Sequence, residues 1–203
     1  MARSAGSHRA NPDPMSDTVG NNGPTDGRRR KGEQRRRQLL EATMRVIERG
    51  GTAAVSQRVV AREAGLPPSA VTYYFATVND LLAATLTECN STWVRRLQEL
   101  RAHPRERALW LFARDLASYA STDRARLFAE YELWLLPARQ PELRTELERW
   151  DDAVTEMVAR FVSDPVLRVG AAATINGLLL RALWSEHGPT ADEVHHILRS
   201  TLR

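Results

Sequence analysis

The segment AREAGLPPSAVTYYF, residues 61–75, limits what this chain can become more than any other. Gly65 supplies a left-handed turn that a residue carrying a Cβ resists, so it ends a helix. Pro67-Pro68 follows almost at once, and proline suits the start of a helix because its missing N–H would have no partner there. Ser56 is a good N-cap for the stretch before the turn. Val60, Ala61 and Ala64 face inward, Leu66 buries the turn, and Val71 and Phe75, four residues apart, anchor the stretch after it. Two short helices at a fixed sharp angle satisfy all of these demands, and that unit is a helix-turn-helix.

Elsewhere apolar residues recur at three- and four-residue steps, and no stretch alternates convincingly with period two. Gly and Pro at 50–51, 65–68, 137, 141, 165 and 188–189 cut the chain into helices, so it reads as all-α. A first helix is expected from about Gly32 to Arg49, with Gly50-Gly51 ending it. Residues 1–27 hold little to bury and are expected to be disordered, and Met15 is an alternative start. The run RRRKGEQRRR then places seven positive charges within residues 28–37.

A helix-turn-helix offers one exposed helix to a DNA major groove. The outward positions of that helix, Ser69, Ala70, Thr72, Tyr73 and Tyr74, are small or hydroxylated and uncharged. A helical hairpin with a merely solvated face fits the same spacing. The adjoining basic run favours DNA, because lysine and arginine beside a reading helix supply phosphate contacts.

The longer segment LLEATMRVIERGGTAAVSQRVVAREAGLPPSAVTYYFATVNDLLAATL, within residues 33–93, resembles the DNA-binding head of the tetracycline-repressor (TetR) family. The resemblance implies a homodimeric transcriptional regulator, usually a repressor of a palindromic operator, whose variable helical body senses a small molecule. The implied organisation is a tail at 1–31, a three-helix head at 32–93 that includes the start of a long helix 4, and an effector-binding and dimerisation body at 94–203. The residues expected at double-stranded operator DNA are Arg35, Arg36, Arg37, Ser56, Gln57, Arg58, Pro68, Ser69, Ala70, Thr72, Tyr73 and Tyr74. The chain departs from the family pattern twice: Thr72 stands where a tyrosine is frequent, and Val78 where a lysine often meets a phosphate.

Helix 4 should run from about Val78 to Arg101, with Leu82, Leu86, Cys89, Trp93, Leu97 and Leu100 along one stripe. Cys89 is the single cysteine, which excludes an internal disulfide and reads as a small core residue. All five tryptophans lie in or beside the body. Trp110, Phe112, Tyr119, Phe128, Tyr131 and Trp134 are the expected lining of a pocket for an unknown effector, with Glu130 and Arg114 as polar handles, although each aromatic also suits a plain core position. In PELRTELERWDDAVTEMVARFV, the four-three spacing of Trp150, Val154, Met157 and Phe161 reads as the seam of a helix packed lengthwise on a partner, and these residues are assigned to the dimer interface. The segment PVLRVGAAATINGLLLRALW is apolar or small on nearly every side. One of its faces, with Ala173, Gly177, Leu180 and Trp184, is therefore assigned to a second copy of the chain.

The sequence holds no nucleophile elbow, phosphate loop or dinucleotide fingerprint, so no catalytic residue and no cofactor is expected. His187, His195 and His196 lack metal-ligand spacing, so no metal is expected either. No run of 18 apolar residues exists, and the chain reads as cytoplasmic without a membrane partner. A helical enzyme or metal-binding protein without DNA binding is the alternative from another class, and an adaptor for acidic proteins a third.

Overall fold

The computed structural model describes Met1 and residues 24–202, and all secondary structure among them is helical. The disordered tail expected before the first helix falls, for residues 2–23, outside the described residues. The chain divides into two units within its first helix, residues 1–34 and residues 35–203. That helix, α1, spans Pro24–Gly50 and so starts eight residues before the expected Gly32. The physical reason is local: Pro24 suits a first helical turn, and Arg29 pairs with Glu33 one turn on at 4.0 Å.

After a single 3-10 turn at Thr52–Ala54 come α2 (Gln57–Ala64) and α3 (Pro68–Tyr74). Ser56 caps α2 as expected, its Oγ accepting from the Val59 N–H at 3.2 Å. Gly65 has φ 65° and ψ 30°. There the Gly65 N–H donates to Arg62 O at 3.1 Å and the Leu66 N–H to Ala61 O at 2.9 Å, which satisfies two carbonyls at the end of α2. Pro67 caps α3 and Pro68 opens it. Helix α4 (Val78–Leu100) begins with a capping box, in which Thr77 Oγ1 accepts from the Asp80 N–H at 3.0 Å and Asp80 Oδ2 from the Thr77 N–H at 2.9 Å. Asp80 thus closes the capping box that starts α4.

The remaining helices are α5 (Arg105–Thr122), α6 (Arg124–Trp134), α7 (Arg144–Val158), α8 (Pro165–Ala182) and α9 (Ala191–Thr201). Apolar side chains gather into two cores. One joins Leu39, Ile47, Val60, Val71, Phe75 and Leu86 around the helix-turn-helix. The other joins Phe112, Leu116, Trp150, Val154, Ile175 and Leu198 in the body. Helix α4 contributes to both, spanning roughly 35 Å at 1.5 Å per residue. Helix α6 does the same over a shorter distance, giving Leu127 to the body core and Ala129 and Leu133 to the head core. α7 packs along α4 and α5 along α9.

This packing corrects the interface expected from α7. Trp150, Val154 and Met157 are buried in their own chain at 4%, 1% and 2% exposure, so no partner can bury them further. Phe161 packs against the same core under the Arg105 guanidinium, 5.1 Å from its ring centre. Four-three spacing reports lengthwise packing; the partner here is α4 of the same subunit.

Phe75 closes the head core with 3% exposure. Phe75→Ala should therefore destabilise the head by about 3–5 kcal/mol. Urea unfolding followed by circular dichroism checks this, and an unchanged first transition would show that the ring carries little of the head's stability.

Candidate DNA-binding surface and aromatic crevice

Polar contacts hold the helix-turn-helix from behind, one at the end of α3 and the others between α1 and α2. The Gln57 side-chain amide donates to Phe75 O at 3.0 Å and to Ala76 O at 3.1 Å, clamping the end of α3 to the start of α2. The Gln38 amide donates to Ala64 O at 2.8 Å. Arg45 and Arg49 of α1 both bond Glu63 of α2, Arg45 at 2.7 Å, and these hydrogen bonds hold the Glu63 carboxyl below its ordinary range. Gln57, expected at DNA, thus has its donor spent on the fold. It is a positioning residue.

The outer face is open. Arg58, Pro68, Ser69, Thr72 and Tyr73 are exposed, Tyr73 at 81%, while Ser56, Ala70 and Tyr74 are half-buried. Tyr74 packs against the head core and meets the Tyr73 ring edge-on at 4.9 Å. Arg35, Arg36 and Arg37 are exposed on α1, and Arg36 lies over the Phe75 ring at 5.5 Å, beside the end of α3. An uncharged exposed helix with arginines at its margin matches the division of labour in DNA recognition, where base edges specify and phosphates hold.

In the body, five aromatic rings form a chain in contact. Centroids are 5.0 Å apart for Trp93–Tyr119, 6.3 Å for Trp93–Trp150, 5.2 Å for Trp134–Trp150 and 5.5 Å for Tyr131–Trp134. These rings, with Leu127, Leu179 and Glu130, line a narrow, nearly closed crevice of about 10 Å³. Tyr131 donates its hydroxyl to Asn176 O at 2.9 Å, and Trp134 Nε1 donates to Asn90 Oδ1 at 3.2 Å. Of the six aromatics expected in a pocket, the structure brings together Tyr119, Tyr131 and Trp134. Phe112 is instead core at 2% exposure, Phe128 faces solvent at 53%, and Trp110 lies half-buried beneath Arg107 and Arg114. Arg114 pairs with Asp115 on the surface. Spacing alone assigns Trp93 and Trp150 to core and seam, and only their ring contacts reveal them as crevice walls.

Glu130 is the buried ionisable group of this crevice, with 8% exposure. Burial pushes its carboxyl above the usual carboxylate range, and the nearby Tyr119 hydroxyl and Arg126 guanidinium do not restore it. Arg126 Nε lies 3.5 Å from Glu130 Oε1, while its Nη1 lies 3.5 Å from Glu41 and 3.8 Å from Glu48 of α1. Glu132 of α6 accepts from the Thr52 N–H at 2.6 Å, just beyond α1. Helix α6 therefore carries crevice walls toward the body and polar ties toward the head. Among the described residues, no cluster of His, Cys, Asp and Glu could hold a metal.

Two family models match the sequence. One, described as the tetracyclin repressor-like C-terminal domain, covers residues 104–203, and the other, bacterial regulatory proteins of the tetR family, covers residues 39–85. The HTH-type transcriptional regulator BetI of Escherichia coli O127:H6 is 28% identical over 162 residues, 74% of this chain and 83% of BetI. PksA of Bacillus subtilis (strain 168), also named an HTH-type transcriptional regulator, is 32% identical over 105 residues, and the chain spans about half of its length, 49%. The solved structure of the multidrug binding protein EbrR complexed with ethidium superposes with a TM-score of 0.67 at 30% identity, covering 83% of this chain and 99% of EbrR.

A carboxyl whose pKa is raised on folding favours the folded state below its unfolded pKa, and that advantage is lost as pH rises toward the folded pKa. Glu130→Gln should remove this loss. The variant's melting temperature should exceed that of the wild type by a margin that grows from about pH 4.5 upward and then levels. Parallel melting curves for the two proteins across pH would contradict the burial effect.

Proposed function

Because the chain belongs to the TetR family of bacterial regulatory proteins, we propose that it is a ligand-responsive repressor, bound to a palindromic operator as a homodimer and released when a small molecule enters the aromatic crevice. It is a DNA-binding transcriptional regulator and not an enzyme. The observation that carries the fuller reading is α3, held rigidly from behind by Gln57 and Phe75 and uncharged on its open face. Ser69, Thr72 and Tyr73 meet base edges and backbone there, with Arg35, Arg36, Arg37 and Arg58 on phosphates.

The homodimer is supported by α8. Val166, Val169, Gly170, Ala173, Gly177 and Leu180 are all exposed along one stripe that continues to Trp184, with Val166 at 77% and Trp184 at 65%. An apolar stripe this long is unusual on a monomer surface, and a two-fold axis lets the same patch cover itself. The outer face of α7, with Glu148, Asp151, Asp152 and Glu156, is charged and suits solvent. The effector reading is supported by the crevice and by EbrR, which carries ethidium in its solved structure. In this reading a ligand moves α6, whose ties to Glu41, Glu48 and Thr52 pass the displacement to the head. The site of action is the cytoplasm, where operator DNA is accessible. Among the described residues, no helix is long and apolar enough to cross a membrane.

The test is binding to fragments selected from genomic DNA, read by fluorescence anisotropy. Tyr73→Ala should weaken operator binding at least about tenfold, a size typical of removing one good specific interaction, while the dimer stays folded. Replacing Arg35, Arg36 and Arg37 by Ala should flatten the slope of log affinity against log salt by about 0.9 for each phosphate no longer neutralised. A wild-type chain without any salt-dependent DNA binding would refute the reading.

Leu180→Glu places a carboxylate on the α8 stripe of each copy and should give monomers in light scattering, because the buried charge would have no partner. Operator affinity should fall with it, although the head is untouched. A dimeric variant would move the interface off this stripe.

A further inference from the structure

The open face of α3 carries a restricted chemistry. Its sequence, PSAVTYY, contains no Arg, Lys, Asn, Gln, Asp or Glu. Pro68, Ser69, Thr72 and Tyr73 are exposed on it and Ala70 is half-buried. The Thr72 hydroxyl donates to Ser69 O at 3.2 Å, so what Thr72 offers to DNA is a methyl group and an oxygen left to accept. Tyr73, at 81% exposure, is met edge-on by the Tyr74 ring at 4.9 Å. Two amides of the head are engaged on backbone, Gln57 on Phe75 O and Ala76 O, and Gln38 on Ala64 O. Arg58 and Arg62 are exposed on α2, the helix that in this motif crosses the DNA backbone while its successor enters the groove.

Each base can be weighed against this face. Guanine presents two acceptors, N7 and O6, in the major groove, and its specific reading takes the donors of Arg or Lys. Adenine read at N6 and N7 together takes Asn or Gln, and cytosine N4 takes a carboxylate. α3 has none of these groups. Thymine alone presents a C5-methyl group, which apolar contact recognises without a polar side chain. The Pro68 ring, the Ala70 and Thr72 methyl groups and the Tyr73 ring are surfaces of that kind. The Thr72 oxygen can accept from an adenine N6–H beside it, a single bond that does not replace bidentate reading.

We infer that α3 reads its half-site through thymine methyl groups, that the pairs beneath it are A·T, and that Thr72 is a specificity-determining residue. This rests on the reading of α3 as the recognition helix of an operator-binding regulator. Taking one methyl group out of water gives about fourfold in affinity. Discrimination therefore accumulates over several thymines and over both half-sites, with no single pair dominating. Affinity itself is left to the arginines around the helix, which hold phosphates irrespective of sequence.

The test uses the full chain and synthetic duplexes of an operator selected from genomic DNA, read by fluorescence anisotropy. Deoxyuridine replaces thymidine one position at a time, which removes only the C5-methyl group. 7-Deazaguanine replaces guanine in the same way, which removes the N7 acceptor. In each half-site a short stretch of thymines should respond, each deoxyuridine weakening wild-type binding about fourfold. 7-Deazaguanine within that stretch should leave binding unchanged. Thr72→Ser keeps the hydroxyl and loses the methyl group, so it should weaken binding to the unmodified operator and abolish the response to deoxyuridine at one position of the stretch. Wild-type binding that ignores every deoxyuridine, or that falls with 7-deazaguanine within the stretch, overturns the inference even if Thr72→Ser does not fold. A folded Thr72→Ser that keeps every deoxyuridine response overturns the role of Thr72. DNA binding without methyl dependence removes this inference alone, whereas a wild type that binds no duplex in a salt-dependent way removes the regulator reading with it.

Discussion

One helix of eleven residues belongs to two cores, and the molecule's design turns on it. α6 buries Ala129 and Leu133 among the head residues, gives Leu127 to the body, and sets Tyr131 and Trp134 in the crevice wall. Close-packed interiors transmit displacement because no slack exists to absorb it. A body that repacks around Tyr131 and Trp134 cannot leave Ala129 and Leu133 where they were. Helix α4 also joins the two cores, but the polar ties of α6 reach further, to Glu41 and Glu48 of α1 and to the Thr52 amide.

Charge reinforces this geometry. Glu48 and Glu130 are both pushed up, each chiefly by burial, and Arg126 lies between them. The Arg126 pairs with Glu41 and Glu48 are partly exposed and add little net stability, and desolvation offsets much of the attraction at buried Glu130. Such a group is poorly explained as a staple. In the proposed function this balance is what a ligand would tip, and coupling of a few kcal/mol at most is what allostery between two sites requires.

The head was legible in the sequence because backbone constraints specify it. Gly65 and Pro67-Pro68 admit few conformations, and the turn, the Ser56 cap and the Phe75 anchor all stand where the residues placed them. The exposed stripe of α8 was legible for a similar reason, since a helix apolar on every side has one face too many for its own core. The α7 seam misled. Its spacing is real, but periodicity does not say whether the partner is α4 of the same chain or a second copy. The crevice was half legible: aromatic type marked Tyr119, Tyr131 and Trp134, yet Phe112 and Phe128 share that type and differ in which side of their helices faces the core. Glu130 suits a surface position as well as a pocket on sequence alone. Only the tertiary packing around α6 buries it.

The central claim is that filling the crevice loosens the hold of α6 on the head. Its most direct measure is amide hydrogen exchange at Thr52, whose N–H is held by Glu132 at 2.6 Å. Addition of a small molecule that binds the crevice should speed exchange at Thr52 while amides in the middle of α5, remote from this tie, keep their protection. Exchange at Thr52 that stays unchanged at saturating ligand would contradict the account, because the crevice and the head would then be uncoupled.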